Sequence, residues 1–220
     1  INHLQHLVSN SGAPELADTI QPITARTGLN PGEVGCYLSH IKAWQYLMAS
    51  EHDAALLLED DCLLDPALPQ VLNALQQHTD ALHVVRLSAL RKLVGRHVCQ
   101  LTEDHALICS TKNPSGTQGY YITKAGAAML LKHISEINCA IDTEMDRYWQ
   151  WGGQILTLKP SVVYQDRTSA SDISVQARAH PRKKGQSWFL KVRHSITKQV
   201  VTRYMTATHR LSASTIPPHR

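Results

Sequence analysis

The run Ala54-Ala55-Leu56-Leu57-Leu58, followed at once by Glu59-Asp60-Asp61, leaves this chain few ways to fold. The apolar residues read as a short strand buried on both faces, the kind found inside a parallel sheet. Three carboxylates at its end repel one another and lose solvation, so something positive should compensate. A divalent cation is the simplest candidate, because Mg²⁺ or Mn²⁺ prefers carboxylate oxygen and keeps positions for substrate phosphates. A solvated acidic turn after a core strand is the plain alternative.

The 220 residues suffice for one well-filled core, and no internal repeat is visible. No run approaches the roughly 20 apolar residues of a membrane span. No secretory leader is evident, although the chain begins at Ile1 rather than Met and so reads as a candidate fragment. Cys36, Cys62, Cys99, Cys109 and Cys139 are scattered and make no C-x-x-C pair, which predicts reduced thiols in a cytoplasmic setting. All 18 acidic residues lie at or before Asp172 with 12 of the 22 Lys and Arg, a net −6; the other 10 basic residues follow. An acidic body with a basic tail suggests two tasks, and we divide the chain into residues 1–178 and 179–220.

Strand and helix patterns alternate. Ile20 to Thr24 reads as a short strand. Asn30-Pro31-Gly32-Glu33 is a helix start with a capping residue, a first-turn proline and an acid that reaches back. Val34, Leu38, Ile41, Trp44 and Leu47 then predict an amphipathic helix over residues 31–49. His40 lies on it beside Cys36, Tyr37 and Trp44, where a histidine is more often packed and hydrogen-bonded than a ligand. Asp65-Pro66 opens a helix that buries Leu68, Val71, Leu72 and Leu75. Residues 83–88 and 106–109 read as strands joined by a basic surface connection containing Arg91, Lys92, Arg96 and His97. Ser115 to Thr123 is a glycine-bearing turn entering a strand, its glycines allowing close approach to a ligand. Thr123 caps the next helix. Asp142 reads as the N-cap of another that runs through Tyr148, Trp149 and Trp151 to Gly152. Residues 155–158 and 161–165 are the last strands. This order argues for an α/β fold with a largely parallel sheet.

Taken together, Gly32-Glu33-Val34-Gly35-Cys36-Tyr37-Leu38-Ser39-His40, Leu58-Glu59-Asp60-Asp61 and Gly116-Thr117 through Tyr120 resemble glycosyltransferase family 25. That family holds bacterial lipopolysaccharide and lipooligosaccharide galactosyltransferases and related collagen galactosyltransferases. The resemblance extends through Ile141-Asp142 and Pro160-Val162-Gln165, over residues 20–175 or so. It implies a glycosyltransferase-A-like, Rossmann-like α/β/α sandwich with a mostly parallel central sheet. It also implies an inverting hexosyltransferase that uses a nucleotide sugar, most often UDP-galactose. Asp61, with Glu59 or Asp60, would hold the divalent metal beside the donor diphosphate. Gly35, Ser39 and His40 would shape the donor side of the cleft, and Gly116, Thr117 and Tyr120 the sugar or acceptor side. Asp142 would be the catalytic base, with Glu144 and Asp146 near enough in sequence to compete. Family members usually open with an apolar strand and an Arg/Asp-containing segment that helps to hold the nucleotide. Nothing before Ile20 resembles it, so the chain reads as truncated or as lacking that element.

In the tail, Arg182-Lys183-Lys184-Gly185 leads into a predicted helix with Phe189, Val192, Ile196 and Val200 on one side. Lys191, Arg193, Lys198 and Arg203 lie mostly elsewhere around it. A basic amphipathic helix predicts binding to an anionic membrane surface, here the inner face of the cytoplasmic membrane near a glycolipid acceptor. The acidic body and the lack of a nucleic-acid module argue against a nucleic-acid partner. A non-catalytic homologue that binds glycolipid or a partner enzyme is the alternative function.

Overall fold

The computed structural model describes Leu29, residues 31–137 and 139–166, and the isolated positions Thr197 and Val200. Asn30, the strand expected at Ile20 to Thr24, the division near residue 178 and most of the basic tail lie outside the described residues.

Helix α1 spans Pro31–Ala49, as its periodicity predicts, and Val34, Tyr37, Ile41, Trp44 and Leu47 form its buried stripe. Strand β1 (Ala54–Leu58) and the short β2 (Cys62–Leu64) flank the acidic turn. Helix α2 (Leu68–Gln76) buries Leu68, Val71, Ala74 and Leu75. Strands β3 (Val84–Arg86), β4 (Gly95–Gln100), β5 (Ala106–Ser110) and β6 (Gly119–Thr123) follow. Helix α3 (Lys124–His133) is capped by Thr123, whose Oγ1 accepts from the Gly126 N–H at 3.1 Å. Two short helices, α4 (Ile141–Asp146) and α5 (Tyr148–Trp151), precede β7 (Ile155–Lys159) and β8 (Val163–Gln165).

Six strands form one sheet in the order β1-β6-β3-β7-β5-β4, and β2 pairs with β8 in a separate ribbon. The fold is α/β with helices on both faces. One core joins α1, α3, α4 and α5 to Leu57, Val84, Tyr120, Ile122 and Ile155. The other joins α2 to Leu56, Val85, Tyr121, Leu156 and Leu158. Neighbouring residues of β3, β6 and β7 thus alternate between the two cores, as the period-two geometry of a strand requires.

Three expectations need correction. The sheet is not mostly parallel: among the described strands β3–β7 is the one parallel neighbour pair, and the other four pairs are antiparallel. The reason is that β5 and β6, which run against the rest, are interleaved between β4, β7, β3 and β1. Among the described strands β1 lies at one end of the sheet, half-buried along Ala54 to Leu57 and exposed at Leu58, with β6 as its sheet partner. The basic stretch at Arg96 and His97 is β4, an edge strand paired with β5 and mostly exposed. Charged side chains suit an exposed sheet edge because they discourage pairing with another chain.

Candidate functional site

Antiparallel pairing carries β1 directly to the turn that precedes β6. Leu58 faces Gly119 across the ladder, and the Glu59 N–H donates to the Gln118 carbonyl at 2.9 Å. The first carboxylate therefore emerges beside Thr117, whose Oγ1 donates to Glu59 Oε1 at 2.5 Å. Burial raises the pKa of Glu59 above the ordinary carboxylate value; the Thr117 bond opposes the shift, and Asp61, Asp60 and Asp142 add to it. Those contributions place the acidic turn and Asp142 in one electrostatic neighbourhood.

The turn has an unusual backbone. Ser115 (φ 63°) and Gly116 (φ 85°) are consecutive left-handed residues. For serine that conformation costs roughly 1–2 kcal/mol and persists only where surroundings hold it. A Cβ on Gly116 would collide with Gln118 Oε1 and stand 2.8 Å from Leu90 Cδ1, and the positive φ adds strain of its own, so glycine is favoured there. The restraint comes from Asp142. Its Oδ2 accepts from Ser115 Oγ at 3.2 Å and from the Gly116 N–H at 3.1 Å. Its Oδ1 accepts from Thr143 Oγ1 at 3.3 Å. The expected N-cap role is not observed: Ala140 precedes α4, and the Asp142 carboxylate spans outward to the turn instead. Glu144 and Asp146 do not share that position. Both are buried, and Glu144 is engaged by His133, by the Cys139 thiol and by Arg147.

His40, Trp44 and Tyr120 form a second group. Trp44 Nε1 donates to the Tyr120 hydroxyl at 2.9 Å, and that hydroxyl lies 2.8 Å from His40 Nδ1. Trp44 and Tyr120 have no solvent exposure and His40 has 8%. Indole N–H can only donate, so the tyrosine oxygen accepts there, and its own hydrogen finds an acceptor in His40 Nδ1. This assignment leaves the histidine proton on Nε2. Burial lowers the His40 pKa to about 4, so the ring is neutral at physiological pH. Tyr120, expected to line the sugar or acceptor side, is instead wholly buried under α1.

Two sets could be considered for a cation. Ligand atoms of Cys36, His40 and Glu59 lie within 4.8 Å of one another. His40 Nδ1 already faces the Tyr120 hydroxyl at 2.8 Å, so an ion there would compete with that bond. Asp61 is better suited: its Oδ2 accepts from Gln165 Nε2 at 3.1 Å, while Oδ1 is buried with no hydrogen-bond partner. An orphaned, buried carboxylate oxygen is an acceptor that a hard divalent ion would satisfy. Asp60 is exposed. Gly35 and Ser39 are exposed on α1, where the Ser39 hydroxyl donates to the Gly35 carbonyl at 3.0 Å.

The sequence reading passed over Arg86 and Asn113. Arg86 Nη2 donates to the Asp142 carbonyl at 2.7 Å and Nη1 to Asn113 Oδ1 at 3.1 Å. A cation inside the apolar stretch Val84-Val85-Arg86-Leu87 was the available signal, because an arginine buried in a strand requires a partner.

A 142-residue stretch, 63% of this chain, is 28% identical to a curated Haemophilus influenzae protein described as "Putative glycosyltransferase". The match takes in 50% of that relative, so the chain spans about half the length of the curated protein it matches. Residues 6–145 match the model of glycosyltransferase family 25 (LPS biosynthesis protein), a range that begins earlier and ends sooner than the resemblance read from the motifs. The chain belongs to glycosyltransferase family 25.

Proposed function

We propose that this chain transfers a hexose from a nucleotide-sugar donor to a hydroxyl of a lipopolysaccharide or lipooligosaccharide acceptor, with inversion, and that the donor is UDP-galactose. Family membership supports the transferase class. The observation that carries the site reading is the meeting of separate segments at one turn: Glu59 on Thr117, Asp142 on Ser115 and Gly116. An inverting displacement needs a carboxylate to take the acceptor proton as its oxygen attacks, and Asp142 is the group we assign to it. Asp61, with Asp60 or Glu59, would hold Mn²⁺ or Mg²⁺. Such an ion, when bound, supplies Lewis-acid stabilisation of the leaving diphosphate. The chain's own contribution is to hold the turn rigid, so that donor and acceptor meet in one orientation.

No helix among the described residues is long and apolar enough to cross a membrane. We place the protein at the inner face of the cytoplasmic membrane, held by its basic tail to anionic lipid. Ten of the 22 Lys and Arg follow Asp172, and each near the surface contributes about 1 kcal/mol of attraction.

The test is UDP release and glycan mass shift with UDP-galactose, Mn²⁺ and a glycolipid acceptor, for the native protein, Asp61→Asn and Asp142→Asn. Both variants should lose at least ~10²-fold in turnover while unfolding at the native temperature within a few degrees. Native turnover in either variant would refute its assigned role. Calorimetric titration with UDP and Mn²⁺ separates this reading from that of a non-catalytic homologue, which expects no heat.

A further inference from the structure

Arg86 is wholly buried, at 1% exposure. Of its five N–H donors, Nη2 serves the Asp142 carbonyl and Nη1 serves Asn113 Oδ1, while Nε has no partner. Burying a guanidinium carries a desolvation cost that an apolar side chain of that shape would not, so stability alone does not explain it. Its two bonds suggest another purpose. Asn113 Oδ1 accepts a second hydrogen bond, from the Ser115 N–H at 2.7 Å. The Asp142 side chain, on the residue whose carbonyl Arg86 grips, accepts from Ser115 Oγ and the Gly116 N–H. One side chain on β3 therefore reaches both ends of the left-handed turn, through its side-chain anchor and through its carboxylate anchor.

We infer that Arg86 is a positioning residue for sugar transfer: it locks the Ser115–Gly116 turn against Asp142 and so fixes the direction in which that carboxylate faces the reacting groups. The inference rests on the reading of Asp142 given above. Arginine is required because the two acceptors lie on different segments and need donors set at the angle of a rigid fork. A lysine keeps the charge and reaches at most one acceptor well. The effect falls on geometry, so kcat should suffer while donor affinity stays, because turnover is far more sensitive than binding to sub-ångström misplacement.

The experiment uses the full chain with Arg86→Lys, Arg86→Met and Asn113→Ala, read by amide hydrogen exchange and by steady-state transfer with UDP-galactose. Exchange at the Ser115 and Gly116 amides should rise by at least ~10-fold in all three, with α2 amides such as Leu75 unchanged. In the same variants kcat should fall by ~10²-fold for Arg86→Met and ~10-fold for Asn113→Ala, with donor KM within ~3-fold of native. Unchanged exchange in Arg86→Lys and Asn113→Ala overturns the clamp, and those two decide the matter if Arg86→Met does not fold. Faster exchange with native kcat overturns the positioning role and leaves Arg86 a structural residue. Absence of transfer by the native protein would defeat the proposed reaction by itself, while the exchange pattern would still settle whether the clamp exists.

Discussion

Replacing Tyr120 with phenylalanine removes one oxygen atom from the middle of a three-residue chain. That oxygen accepts from Trp44 Nε1 at 2.9 Å and lies 2.8 Å from His40 Nδ1, in surroundings without solvent. The variant keeps the ring and so makes no cavity. It leaves a buried indole N–H without an acceptor and a buried imidazole lone pair without a donor. Each orphaned neutral group costs about 1–3 kcal/mol, offset in part because the tyrosine hydroxyl no longer needs desolvating. The expected net loss is roughly 2–4 kcal/mol, and a 3 kcal/mol loss corresponds to a fall in Tm of roughly 6–12 °C for a domain of this size. Urea denaturation should show it as a lower midpoint at unchanged slope. Trp44→Phe in the same background should cost less than it does alone, by about 1 kcal/mol or more, because the orphaned donor has already been removed. A stability within ~0.5 kcal/mol of native would refute the hydrogen-bond assignment. If instead stability held while donor or acceptor KM rose, Tyr120 would be lining the cleft as the motif alone suggests.

Three further outcomes follow from the same geometry. Gly116→Ala places a Cβ against Gln118 Oε1 and Leu90 at a positive φ, and should destabilise by ~2 kcal/mol or more; a native urea midpoint would show that the turn does not have this shape. Glu59→Gln should alter stability in a pH-dependent way. Burial raises the Glu59 pKa, so the native chain has its full stability below the ordinary carboxylate value and loses the increment as pH rises through the raised one. The glutamine variant lacks that loss, and its Tm advantage should grow from pH 4 to pH 8; a pH-independent difference would refute the burial argument. Cys36, pushed up to about 11, should react with iodoacetamide at pH 8 at least ~10²-fold more slowly than a free cysteine, as followed by mass spectrometry of the intact protein; equal rates would show the thiol to be open.

What could be read beforehand divides along the range of the interaction concerned. Local chemistry sufficed for α1, where Pro31 and the spacing of Val34, Ile41, Trp44 and Leu47 set both the element and its buried face. It sufficed equally for the Thr123 cap and for the strand ending at Leu58. It could not reveal who stands beside that strand. An apolar run looks the same at a sheet centre and at an edge flanked by two cores, and Ala54 to Leu57 contact both. Direction was lost for the same reason: the alternation of strands and helices suggests crossovers, yet β1 pairs with a strand more than sixty residues away that runs against it.

The site shows the same limit more sharply. Glu59, Gly116, Thr117 and Asp142 could be proposed from residue type and motif because carboxylates and glycines in such a pattern have few uses. Tyr120 was misplaced because nothing in Gly119-Tyr120-Tyr121 says which ring faces α1; the answer lies in Trp44 and His40, two turns of another helix. Arg86 was missed because its acceptors, the Asp142 carbonyl and the Asn113 amide, are 56 and 27 residues distant. Both omissions are buried polar side chains, and for such a side chain the sequence states a requirement, a partner, without naming it. A buried arginine or tyrosine in a strand that otherwise reads as apolar is therefore the place to look for what holds a site together.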